Sequence, residues 1–168
     1  MPVISYIGIG ANLADPVQQI LDARRHLLAD SQVHFLECSS LYLSSPVGYQ
    51  DQADFINCVC QIETDHSAQA LLLLTQNIES KLGRQRDLNN RNAPRLIDLD
   101  ILLHGDQSIQ SRALTVPHAR MAERLFVLEP IFEISPDLSI NGLGKVSMLL
   151  ENGRASGLFE GQTLYRLS

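Results

Sequence analysis

The sequence predicts the element order β-α-β-β-α-β, which places the chain in the α+β class as a ferredoxin-like sandwich, an antiparallel sheet flanked by helices. Three observations carry this assignment. Residues 3–9, 33–43, 55–62 and 95–103 read as strands, rich in β-branched and apolar side chains. Helical apolar periods follow the first and third of these stretches, opening at Asp15-Pro16 and near Ser67. The 168 residues are 45% hydrophobic and 19% charged, enough for an apolar core, so residues 1–168 are read as a single domain.

In the first strand Val3, Ser5, Ile7 and Ile9 share one face, and Ile4, Tyr6 and Gly8 the other. Asp15 suits an N-cap and Pro16 the first helical position, after which Val17, Ile20, Leu21, Ala23, Leu27 and Leu28 keep a helical period. A polar loop, residues 44–52, separates the second strand from the third. The second helix covers residues 67–82, with Leu71, Leu74, Ile78 and Leu82 inward and Gly83 ending it. The fourth strand runs over residues 95–103 to the turn His104-Gly105-Asp106, and a third helix over 124–134 is interrupted near Pro130. From Val146 onward a short helical stretch mixes with polar turns and yields no assigned strand.

A net charge of −6 argues against binding nucleic acid or an anionic membrane. No run is apolar enough to span a bilayer and the first residues lack a secretory pattern, so a cytoplasmic protein is expected. The three cysteines, Cys38, Cys58 and Cys60, are read as buried free thiols in a reducing compartment. Arg84, Arg86, Arg91 and Arg95 crowd one segment of this acidic chain with Asp87 as its only acid. Such a cluster fits either a specific anionic ligand, because guanidinium forks match phosphate oxygens, or a solvated salt-bridging loop.

The run from Arg95 to Leu103 is the most informative. Strict alternation puts Ile97, Leu99, Ile101 and Leu103 on a core face and Leu96, Asp98, Asp100 and Leu102 on the other. Two carboxylates so placed repel each other, and either they lie exposed on an open sheet face or a divalent cation bridges them to phosphates. The arginines just upstream favour the cation. Gln76 and Glu79 share one face of the second helix, suited to a ligand or to solvent. His118 follows Pro117 and could be structural; Phe55 and Phe126 could be core. Gly8-Ile9-Gly10 lacks the third glycine of a dinucleotide loop, and no Gly-Lys-Ser/Thr is present. A kinase built on this chain would therefore grip phosphates with arginines and metal.

Gly8-x-Gly10-x-Asn12-Leu13, Ser44-x-Pro46-x-Gly48, Gln50-Asp51-Gln52, Phe55-x-Asn57 and Gly83-Arg84-x-Arg86 stand in one order with Ala93-Pro94-Arg95-x-x-Asp98-x-Asp100-Ile101. With Thr115-Val116-Pro117-His118 and Arg124-x-Phe126-x-Leu128-x-Pro130, the pattern resembles the 6-hydroxymethyl-7,8-dihydropterin pyrophosphokinases over roughly residues 3–140. The resemblance implies transfer of the β,γ-diphosphate of MgATP to a reduced pterin, in folate synthesis. It implies that Asp98 and Asp100 hold two Mg²⁺ ions, and that Arg84 and Arg95 neutralise the transferred group. Gln76, Glu79, Arg86, Ile101, Thr115, His118 and Arg124 would surround ATP. Phe55 and Phe126 would sandwich the pterin beside Asn57, and the loop would contribute Ser44, Val47 and Gly48. The partners implied are these small molecules, with the protein a monomer.

Some positions depart from the family's usual pattern. Asn92 stands where a Trp is common, Ala119 where a Tyr is frequent, and Ala113 beside Arg112 where an Arg contacts nucleotide. Phe55 replaces a frequent Tyr. The alternatives are a non-catalytic paralogue that binds pterin or nucleotide, and a ferredoxin-like interaction domain. The segments 44–53 and 84–94 are expected to close over bound ligands.

Overall fold

The computed structural model describes residues 1–83, 89 and 96–167. β1 (Val3–Ala11) leads into α1 (Pro16–Leu28), where the Asp15 carboxylate accepts from Gln18 N at 3.1 Å and Pro16 opens the first turn. β2 (Val33–Cys38), β3 (Tyr42–Ser44) and β4 (Phe55–Thr64) follow, then α2 (Ala68–Lys81), capped by the Ser67 hydroxyl, and β5 (Asp98–His104). Short strands β6 (Ile109–Gln110) and β7 (Thr115–Val116) pair with each other ahead of α3 (Leu125–Ile134). β8 (Ser139–Ile140) and β9 (Gly144–Lys145) form a small ladder. α4 (Val146–Ser156) stops at Gly157, whose φ of 76° a glycine adopts freely, and β10 (Leu164–Arg166) completes the chain's elements.

Six strands of the described residues form one sheet in the order β10-β3-β4-β1-β5, with β2 beside β3 along β4. All pairings are antiparallel, and helices cover both faces. α1 and α2 bury Ile20, Leu27, Leu71 and Ile78 against Ile7, Ile9, Ile62, Leu99 and Ile101. α3 and α4 bury Leu128, Ile131 and Leu150 against Tyr6, Val59 and Leu102. Each such aliphatic side chain contributes about 1.5–3 kcal/mol on burial, which outweighs helix propensity here. Val17, Leu21 and Leu28, part of the predicted apolar period of α1, stay exposed.

Four expectations need correction. The stretch 33–43 is two strands: at the break the Ser39 hydroxyl accepts from Val59 N at 3.0 Å, where a ladder would use a backbone carbonyl. The fourth strand begins at Asp98, and a register shift opposite Tyr6 and Ile7 moves Leu103 into the core beneath α3. Strict alternation fails at that bulge. Cys38 and Cys60, opposed in the β2–β4 register, form a disulfide, so Cys58 alone is a free, buried thiol. The tail supplies α4 and β10, the latter pairing with β3.

α3 is tied across the sheet by Glu133. Its Oε1 accepts from Ser40 N at 3.0 Å and Ser40 Oγ at 2.7 Å, its Oε2 accepts from Tyr42 Oη at 2.5 Å, and Arg166 lies 3.2 Å away. Burial alone would raise the Glu133 pKa, but these hydrogen bonds and the guanidinium together hold it below the ordinary carboxylate value. The same contact pushes Tyr42, already raised by burial, up to about 12. A carboxyl depressed on folding adds stability above its unfolded pKa of about 4.3 and loses it as pH falls through the folded value. Glu133→Gln should therefore cost about 1–3 kcal/mol in urea unfolding at pH 7. The gap to wild type should narrow by about pH 3.5, on the acid side of that unfolded value; an equal gap at both pH values contradicts this account.

Candidate active site

The site starts from two missing side chains. Gly10 on β1 stands between Asn57 on β4 and Asp98 on β5, and Gly8 stands between Val59 and Asp100. The strand period of two then puts Phe55, Asn57, Asp98 and Asp100 on one face, the same face that α3 and α4 cover elsewhere. A Cβ on Gly10 would lie 2.7 Å from Asn57 Oδ1, and one on Gly8 3.5 Å from Leu102. Glycine at both positions lets the Asn57 amide lie against Gly10 and Leu102 against Gly8, with no β1 side chain between the amide and the carboxylates.

Each wall is held by identifiable contacts. Asn57 donates to Ser44 Oγ at 2.6 Å, and both side chains are buried. Asn12 Nδ2 donates to Gln52 Oε1 at 2.9 Å and to Ala53 O at 3.0 Å, fastening one end of the loop that carries Val47 and Gly48. Within that loop Gln50 Nε2 donates to Pro46 O at 2.9 Å. On the other flank β5 is the sheet edge among the described residues, and the buried Glu79 of α2 accepts from Leu99 N at 2.8 Å. Glu79 thereby holds the strand between the two aspartates.

Beyond the edge, β7 brings Thr115 and the following His118 alongside β5, with His118 N donating to Leu102 O at 2.9 Å. His118 Nδ1 accepts from Arg120 N at 3.2 Å, so in the neutral ring Nε2 bears the proton and serves as a donor. Burial lowers the His118 pKa first, then Arg124; Asp98 pulls it up and Arg120 lowers it further. These couplings bring His118, Asp98 and Arg124 into one electrostatic neighbourhood. The Arg124 guanidinium lies 5.6 Å from the centroid of Phe126, which is half-buried at the start of α3.

Phe55 and Phe126 are both half-buried on one face of the sheet, Phe126 packing against the edge of the core under α3 and α4. Ile101 does point into the core under α1 and α2, leaving only its backbone for a ligand. Gln76 is half-buried on α2. Arg84, Arg86, Arg91, Asn92 and Arg95, with most of the segment 84–94, lie outside the described residues. Among the described residues no three His, Cys, Asp or Glu side chains gather as a complete metal cage. The chemistry of the pair Asp98 and Asp100 suits a hard cation that takes its remaining oxygens from phosphates. Arg120, which sets the His118 tautomer through its backbone, carried no sequence signal; nor did the C-terminal turn at residues 161–163.

The chain matches the family described as 7,8-dihydro-6-hydroxymethylpterin-pyrophosphokinase (HPPK) over residues 6–136. It is 44% identical over 136 residues to the 2-amino-4-hydroxy-6-hydroxymethyldihydropteridine pyrophosphokinase of Haemophilus influenzae, covering 81% of this chain and 84% of that one. The Bacillus subtilis protein of the same name is 45% identical over 131 residues, 78% and 77% of the two chains. A crystal structure of a Plasmodium falciparum HPPK-DHPS triple mutant with pteroate superposes at a TM-score of 0.70 with 15% identity. That superposition covers 95% of this chain and 44% of the Plasmodium chain, and it shows the fold.

Because the Ser44 bond leaves Asn57 little room to turn, Gly10→Ala should overpack the floor and cost about 1–3 kcal/mol of stability. Urea unfolding of G10A beside wild type measures this, and unchanged stability would show that Asn57 swings away freely.

Proposed function

Since the chain belongs to the 7,8-dihydro-6-hydroxymethylpterin-pyrophosphokinase family, we infer that it transfers the β,γ-diphosphate of ATP to 6-hydroxymethyl-7,8-dihydropterin. The products are the pterin diphosphate and AMP, in folate biosynthesis. The observation that carries the reading at the level of residues is the row Asn57, Gly10, Asp98, in which a glycine stands between an amide and the carboxylate pair on one face of the sheet.

Phe55 and Phe126 stack on the two faces of the pterin, contributing about 0.5–1.5 kcal/mol beyond burial. Asn57 hydrogen-bonds its edge while Ser44, Val47 and Gly48 close that side. Gln76, Glu79, Arg86, Ile101, Thr115, His118 and Arg124 form the nucleotide side, with His118 Nε2 and Arg124 donating to phosphate oxygens and Glu79 acting through the strand it holds. Asp98 and Asp100 would hold two Mg²⁺ ions, which when bound supply charge neutralisation on the triphosphate. Arg84 and Arg95 add to that neutralisation. The hydroxymethyl oxygen bonds to the β-phosphorus as the bridging oxygen departs with AMP, and the hydroxyl proton leaves to solvent. What such a site supplies is alignment and charge compensation.

The protein acts as a monomeric single domain in the cytoplasm, on small molecules and not on nucleic acid. The Cys38–Cys60 bridge is the feature that counts against a reducing compartment. Among the described residues no helix is long and apolar enough to cross a membrane. The changes at Asn92, Ala113 and Ala119 raise the ATP requirement without changing which bond breaks.

Incubation with ATP, Mg²⁺ and 6-hydroxymethyl-7,8-dihydropterin should yield AMP and the pterin diphosphate in equal amounts. ADP would reveal a different transfer, and binding of both ligands without product would mark a non-catalytic paralogue. Asp98→Ala and Asp100→Ala should each lower kcat by about a hundredfold or more, since a lost metal contact removes several kcal/mol from the transition state. Pterin affinity measured without Mg²⁺ should change little in either variant, and near-normal turnover in both removes the metal assignment.

A further inference from the structure

The family match ends at residue 136, yet later residues grip both walls of the pterin pocket. α3 starts without a side-chain cap from its own N-cap residue, Arg124, which has no hydroxyl or carboxylate to offer. The cap comes from the far end of the chain. Gln162 Oε1 accepts from Leu125 N at 2.9 Å, and Gln162 Nε2 donates to Glu123 O at 2.8 Å. One side chain thus clamps the backbone on both sides of Arg124 and sets the turn that presents Phe126.

The next residue reaches the opposite wall. Thr163 N donates to Ser45 Oγ at 3.1 Å, and Ser45 N donates to Thr163 O at 3.4 Å. β10 then continues along β3, pairing Leu164 with Ser44 and Arg166 with Tyr42, and Leu167 N donates to Leu41 O at 2.8 Å. The approach to this turn is anchored by Phe159, buried against Gly153 of α4. Gln162 and Thr163 are consecutive, so the start of α3 and the Ser44–Ser45 corner are joined by a single stretch of backbone.

We propose that residues 159–167 form a brace that sets the width of the pterin pocket, with Gln162 as its positioning residue. The proposal rests on the pyrophosphokinase reading above. Phe126 is one of two ring walls, whereas Arg124 is one of several groups around the nucleotide. Loosening this turn therefore falls mainly on the pterin.

Full-length Gln162→Ala is compared with wild type in steady-state assays varying each substrate, and in fluorescence titration with 6-hydroxymethyl-7,8-dihydropterin in the presence of an inert MgATP analogue. Loss of a cap-sized interaction should raise the pterin KM and Kd about 5–10-fold. On the same reasoning the ATP KM and kcat should stay within about twofold. Gln162→Glu keeps the acceptor for Leu125 N and should return the pterin constants to within about threefold of wild type. Ser45→Ala, which cuts the brace on its other side, should reproduce the pterin-selective effect even if Gln162→Ala does not fold. Leu28→Ala, exposed at the end of α1 and outside the brace, should leave all constants unchanged. Unchanged pterin constants in Gln162→Ala and Ser45→Ala, or equal rises for both substrates, overturn the brace. A wild-type protein that makes no AMP overturns the pyrophosphokinase reading and the brace with it.

Discussion

Antiparallel pairing of β1 with β4 on one side and β5 on the other aligns Asn57, Gly10 and Asp98 in one row, and Val59, Gly8 and Asp100 in the next. That register is enforced from the opposite face. Ile7, Ile9, Leu99 and Ile101 alternate with the site residues and fill the layer under α1 and α2. A slip of β5 by one residue would exchange its faces, driving two carboxylates into an apolar core and Leu99 and Ile101 out of it. The core thereby dictates where the polar groups of the site stand.

The other face is only partly covered. α3 and α4 close over Tyr6, Leu102 and Leu103 at one end of the central strands, while no helix of the described residues buries a cluster over the glycine end. The extent of that opening depends on where α3 lies, and α3 is fixed at both ends by groups from distant parts of the chain. Glu133 near its C-terminus accepts from Ser40 and Tyr42 at the break between β2 and β3, and Gln162 caps its N-terminus. Pro130 lies between these anchors and removes one internal helix bond, which makes external ties more important.

Transfer of a diphosphate needs alignment and charge compensation more than covalent chemistry, and the architecture provides those by layering. The apolar floor and half-buried aromatics lie toward β3 and β4. The acids lie on β5, His118 lies alongside that strand, and Arg124 acts electrostatically on His118. Glu79 satisfies the Leu99 N–H on that edge, so the acid-bearing strand is supported although no further strand among the described residues pairs with it.

The amino-acid sequence by itself determined the α+β order, the cap at Asp15, and the shared face of Asp98 and Asp100. These follow from period-two alternation and from capping, rules that act within a few residues of chain. Tertiary structure decided the rest. Leu103 changes face because a bulge arises only when β5 meets β1, and Cys38 finds Cys60 only through the β2–β4 register. The 33–43 stretch breaks because a Ser39 hydroxyl replaces a carbonyl toward a strand 20 residues away. β10 is three residues long, too short to show alternation, and the Gln162 cap acts across 37 residues. Pairings of that reach have no local period, so only the folded chain could bring the two walls of the pocket under one brace.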